Sequence, residues 1–280
     1  MRTLKRIFDF YILSNIHVGF AVFCLTKITL LAYGITDNLV PFFVFFSTVA
    51  SYNFIRLYRI SMIQGWIFEF LKSRKKLILG LTFICVLILL YLALQLQFAA
   101  LLWLLPFGLF TFFYVVPFGV KKHSSLALRS VAFLKLFLIA ISWAGVTVLV
   151  PLVNYHIEID KVVVLTFVQR FLFVAAITIP FDIRDVDYDD DALKTLPQVI
   201  GINASKKVGL FFLMLFLGME FLKVPVTAVP LRIHFFVAVI ALSFLFKATK
   251  TQHRYYSSFF VESIPIIWWV MVLAGLTLTA

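Results

Sequence analysis

Apolar positions along this chain are continuous rather than periodic. Runs at 16–34, 39–57, 77–94, 98–118, 131–153, 162–181, 207–223, 233–247 and 258–279 are separated by short polar breaks. Each run is close to the roughly 20 residues that cross about 30 Å of hydrocarbon at about 1.5 Å per residue. Barrel strands of about ten residues alternate inward and outward faces, so continuous runs favour helices. The pattern predicts an all-α, polytopic membrane bundle of nine transmembrane helices in one integral membrane domain, 1–280. The breaks at Gly34–Asn38 and Gln95–Gln97 would join antiparallel neighbours. No small-residue cleavage site follows the first run, so it is expected to be a retained span and not a signal peptide.

Composition agrees with this reading. Of the 280 residues, 63% are hydrophobic and 14% charged, with a mean hydropathy of +1.05, which excludes an ordinary soluble domain. Lys and Arg number 25 against 13 Asp and Glu, a net charge of +12. Nineteen of the 25 lie in the N-terminal segment and in alternate breaks, three (Lys161, Lys223 and Arg232) on the other side, and three (Lys27, Lys135 and Arg170) within the runs. The positive-inside rule then puts the N-terminus in the cytoplasm and the C-terminus outside an inner or plasma membrane. The cytoplasmic loops would be 58–76, 119–130, 182–206 and 248–257. Basic residues dispersed in this way argue against nucleic acid as a partner. Cys24 and Cys85 fall inside apolar runs, with no disulfide or metal spacing.

The acidic residues are less evenly spread, since six of the 13 fall within 182–191. If the sixth helix continues past Phe181, Asp182, Asp185 and Asp189 share one face at i, i+3 and i+7. Three carboxylates on one face repel one another unless a cation lies between them. Hard oxygen ligands suit magnesium, which completes its shell with water and substrate phosphates. An acidic run can also be a solvated face or a local counterweight to basic loops. Its place at the end of a membrane span, with helical spacing, favours a magnesium-bridged phosphate or diphosphate ligand.

Asp182-x-x-Asp185-x-x-x-Asp189, followed by Lys194-Thr195-Leu196-Pro197 and Gly201, resembles the second aspartate-rich motif of the UbiA superfamily of intramembrane aromatic prenyltransferases. Tyr114 with Pro117, Lys121 and Lys122 is similar to that family's Tyr and basic residues after the fourth span. The first motif is degenerate: Asn53 is present, but Leu57 and Ser61 stand where the family carries aspartates. The resemblance implies a magnesium-dependent transfer of an isoprenyl group from a prenyl diphosphate to a lipid-soluble acceptor such as a quinone-precursor ring. It implies Asp182, Asp185 and Asp189 as magnesium ligands, with Asp185, Asp189 and Arg56 as catalytic residues. Asn53, Arg56, Arg59, Lys121 and Lys194 would contact diphosphate. The alternative is a non-catalytic relative that binds or transports a prenyl or phospholipid ligand.

Lys27 and Arg170 fall near span centres, where a charge is costly and usually faces a cavity or the bundle interior. Arg170 lies twelve residues before Asp182, about 18 Å along a regular helix, so it is expected to line the cavity without reaching the diphosphate. Lys135 is expected to snorkel at a span end, with a site lysine as the alternative, and His17 to be a satisfied structural histidine.

Overall fold

A computed structural model describes residues 2–58, 60, 65–115, 133–189, 193–223 and 228–277. All its regular elements are helical. In chain order they are α1 (Arg2–Leu13), α2 (Ile16–Ala32), α3 (Leu39–Tyr58), α4 (Gly65–Ala93), α5 (Phe98–Val115) and α6 (Leu134–Ala144). A π-helical turn, Gly145–Leu149, leads into α7 (Val150–Asn154). Then follow α8 (Lys161–Asp185), α9 (Leu196–Ile200), α10 (Ile202–Gly218), a 3₁₀ turn (Met219–Leu222) and α11 (Ala228–Lys247). A second π-helical turn, Tyr256–Val261, precedes α12 (Ile264–Thr277).

Six of the described helical stretches are long and apolar enough to cross a membrane, or seven if the bent pair α1–α2 is one span. The expected nine spans are therefore not all matched by length and composition. The α5 and α10 helices cover two of the remaining apolar runs but fall short of the same criteria. The α4 helix turns Leu79, Phe83, Leu87 and Leu90 outward, at 47–63% exposure. Such a face is stable against hydrocarbon, where no water penalises it, and the protein is an integral membrane protein.

Consecutive helices pack side by side: α2 on α3, α3 on α4, α5 on α6, α6 on α8, α8 on α10 and α10 on α11. The ring closes where α11 meets α12 and α12 returns to α2. The C-terminal half of α8 is buried between its neighbours, with Phe173, Val174, Ala175, Ala176, Ile179 and Ile183 almost fully enclosed. Asp160 starts this helix by accepting a hydrogen bond from the Val163 N–H at 2.8 Å, as an N-cap does.

The break between α1 and α2 has a local cause. Asn15 takes a left-handed φ of 63°, and the two helices diverge by 55°. Two α3 residues brace it. Asn15 Nδ2 donates to Asn53 Oδ1 at 2.7 Å, and Arg56 Nη1 donates to the Leu13 carbonyl at 2.8 Å, one of the acceptors that a helix end leaves unsatisfied. Nearby His17 bonds the Tyr11 hydroxyl and the Phe259 carbonyl, a structural role as expected. Lys27 ties α2 to the following loop by donating to the carbonyls of Thr36 and Asp37.

Candidate functional site

Asp182 and Asp189 of the acidic run meet at Lys135, whereas Asp185 pairs with Arg184. After α8 the chain makes one more helical hydrogen bond, Asp189 N–H to the Asp185 carbonyl at 2.7 Å, so the three aspartates follow one another around the helix end. The Thr-Leu-Pro segment then starts α9. The Gln198 side chain accepts from the Thr195 N–H at 2.8 Å, a reciprocal capping arrangement. The same Gln198 donates from Nε2 to the Asp189 carbonyl at 3.1 Å and pins the end of the acidic turn. The motif residues after the aspartates therefore act mechanically, fixing where Asp189 points.

The carboxylates are neutralised from within the chain. Lys135, at the start of α6, sets its Nζ 2.8 Å from Asp182 Oδ1 and 2.8 Å from Asp189 Oδ2. Arg184 grips Asp185 bidentately, at 2.7 and 2.8 Å, and also donates to the Ser258 hydroxyl. Asp182 is 0% exposed, and neither of its oxygens accepts a well-aligned hydrogen bond among the described residues. The positive charge that a carboxylate buried so deeply needs comes from Lys135.

The remnant of the first motif faces this group. Arg56 lies within electrostatic range of Asp185, Arg184 and Glu262. Three cations, Lys135, Arg56 and Arg184, thus meet four carboxylates, Asp182, Asp185, Asp189 and Glu262, at one end of the bundle. Asn53 is 1% exposed and spends its Oδ1 on Asn15, while its Nδ2 has no partner among the described residues.

Other expected site residues sit apart. Lys194 is exposed at a positive φ of 43°; its carbonyl accepts from the Phe133 N–H, and its side chain is not in the cluster. Arg59, Ser61, Pro117, Lys121 and Lys122 lie outside the described residues. Arg170 stands far up the unbroken α8 from Asp182, as expected. Lys135 takes the second of its two expected roles, bridging carboxylates at the site instead of snorkelling. Two participants escaped the sequence reading, Arg184 within the acidic run and Glu262. The available signal for Lys135 and Glu262 was a charge inside an apolar run.

Among the described residues, no three His, Cys, Asp or Glu side chains converge as a metal shell. The donor set nevertheless suits a hard divalent cation: oxygen ligands only, on one face, with the Asp182 carboxylate short of partners. The Lys135 ammonium holds the position between Asp182 and Asp189 that such a cation would share.

No family model matches the sequence, and no curated protein matches it. Solved structures do. A UbiA homolog from Archaeoglobus fulgidus bound to GPP and Mg2+ superposes with a TM-score of 0.65 at 11% identity, covering 96% of this chain and 99% of that one. The same comparison with a UbiA homolog from that organism bound to DMAPP and Mg2+ gives 0.66 at 12% identity, with the same coverage. A digeranylgeranylglyceryl phosphate synthase gives 0.56 at 17% identity, covering 98% and 97%. The helical membrane bundle described above is therefore of a known class. Over nearly its whole length, the chain has the UbiA fold.

Proposed function

We propose that this protein is a UbiA-superfamily membrane prenyltransferase, moving an isoprenyl group from a prenyl diphosphate to a lipid-soluble acceptor, an aromatic or quinone-precursor ring. The observation that carries this reading is the meeting of Asp182, Asp185 and Asp189 with Arg56, Arg184 and Lys135 at one end of a UbiA-fold bundle. The neighbouring fold, solved with prenyl diphosphates and Mg2+, supports it.

Breaking the bond from an allylic carbon to the diphosphate oxygen leaves negative charge on the departing group, and fixed donors aimed at that charge lower the barrier. Arg56 and Arg184 offer planar forks suited to phosphate oxygens, and Lys135 adds a point charge. Asp182, Asp185 and Asp189 would hold magnesium, which would neutralise the diphosphate when bound. Asn53 has an unused Nδ2 donor that can orient a diphosphate oxygen. The basic-residue count places this end, with the N-terminus, in the cytoplasm, within a single membrane domain.

The deciding experiment is binding and turnover of prenyl diphosphates of graded length by the purified protein, with and without magnesium. Magnesium-dependent binding of at least one of them, weakened at least about tenfold by Asp189→Asn, is expected. No binding of any length refutes the reading.

A second reading has its own observation. Leu57 replaces a carboxylate, and the Lys135 ammonium already fills the acidic face, as in a relative that binds or carries a prenyl ligand without turning it over. Turnover appearing only in a Leu57→Asp, Ser61→Asp double variant favours this reading, whereas turnover by the native chain removes it.

A further inference from the structure

At the end of the bundle away from the acidic face lies a second cavity, of about 600 Å³. Its walls come from the second half of α2, the first half of α8, the 3₁₀ turn, α11 and α12. Most of the lining is apolar, including Ile28, Val229, Ile233 and Val272. The charged lining residues are Asp160, Arg170, Glu220 and Lys223, and among them Arg170, 2% exposed, has only neutral hydrogen-bond partners. Nη1 donates to the Leu25 carbonyl at 2.8 Å and approaches the Thr147 hydroxyl at 3.4 Å, and Nη2 reaches the Thr29 hydroxyl at 3.3 Å.

No carboxylate pairs with Arg170 among the described residues. Glu220, the nearby acid in the cavity wall, is already engaged. Gln169 donates to it at 3.0 Å, Lys223 lies 3.4 Å away, and His234 Nδ1 lies 3.1 Å away. Asp160 caps the start of α8, about 15 Å from Arg170 along the helix. The guanidinium lies 5.0 Å over the Trp268 ring, a favourable cation–π contact. The Trp268 indole N–H is itself buried with no hydrogen-bond partner among the described residues. A buried cation without an anion and a buried donor without an acceptor thus share one wall of an apolar chamber, and each lacks what an oxyanion supplies.

We propose that this cavity binds a single-chain amphiphile bearing one oxyanion headgroup, a carboxylate or a phosphate ester. The head lies against Arg170 and the chain runs along α11 and α12. At about 600 Å³ the cavity is within the range of small-molecule sites, the size of one alkyl chain with its head. Charge supports an anionic head, since the Arg170 guanidinium has only neutral hydrogen-bond partners. The site is separate from the acidic end and stands whether or not the prenyl reading holds.

The test is equilibrium binding of oleate, hexadecyl phosphate and oleyl alcohol to the full-length protein in nanodiscs, read by native mass spectrometry and thermal shift. At least one of the two anions is expected to bind one per protein, and the uncharged alcohol at least about tenfold more weakly. The tighter anion identifies the head. Arg170→Gln should remove the preference for the anion over the alcohol, and Arg170→Lys should keep part of it. Because Arg170 also braces α2, Val272→Trp, which fills the path of the chain and leaves Arg170 in place, should abolish binding in a folded protein. Failure of both anions to bind, equal binding of oleyl alcohol, or undiminished binding by the Val272→Trp variant each overturns the proposal.

Discussion

Lys135 decides how the acidic end is held together. Its ammonium is the cation nearest to Asp182, a carboxylate at 0% exposure. Removing one partner of a buried pair leaves the other charged and unsolvated. Lys135→Met should therefore lower stability by about 3–5 kcal/mol. Adding Asp182→Asn, which deletes the stranded charge, should restore most of that loss. Denaturant unfolding in micelles measures both, and a double variant no more stable than the single one contradicts this account. The aspartates could be read from the sequence because their spacing is local. Their cation could not, because a lone lysine near a span end looks the same whether it snorkels or reaches across to residues 47 and 54 positions later. Asn53 and Arg56 were expected to serve a ligand. They are also structural, since they close the α1–α2 break, a task invisible until Asn15 and Leu13 are placed beside them.

Among the elements, the apolar runs located the helices well because every span has to satisfy its own backbone within the membrane. They did not reveal interruptions that remain hydrogen-bonded in another way. The π-helical turn at Gly145–Leu149 sits inside an apolar run whose composition gives no hint of it. Its geometry explains the glycine. A Cβ on residue 145 would lie 2.1–2.4 Å from atoms of the Phe107 ring, so α5 approaches there closer than any side chain permits. A ring edge has little freedom to withdraw, and Gly145→Ala should cost about 1–3 kcal/mol as overpacking. Thermal unfolding of the two proteins compares them directly, and recovery on adding Phe107→Leu would tie the loss to that contact. Span number was the weakest element-level reading. A 17-residue helix such as α10, continued by a 3₁₀ turn, falls below a length criterion although its sequence run looks long enough.

For the whole molecule, the all-helical UbiA-like architecture was legible from hydropathy and one motif, and the structural likeness extends it to nearly the full chain at 11–17% identity. Fold survives such divergence because a membrane bundle constrains polarity and small-residue contacts more than particular side chains. Orientation follows from the basic residues and is open to test. Single cysteines replacing Lys250 and Asp37, in a background lacking Cys24 and Cys85, should be labelled by impermeant reagents from opposite sides of the membrane, Lys250 from the cytoplasm. Labelling of both from one side contradicts the arrangement.

The unpaired state of Arg170 also bears on how the protein is made. An arginine near the centre of a span adds about 2.5–3.5 kcal/mol to the cost of inserting that helix alone, and α8 carries the buried Asp182 as well. Yet the groups that receive these charges, Leu25, Thr29 and Thr147 for Arg170 and Lys135 for Asp182, all precede α8 in the chain. During synthesis this span, with its buried arginine and aspartate, therefore emerges after these partners and can enter a bilayer where they already wait. Chain order itself thus acts as a chaperone for α8.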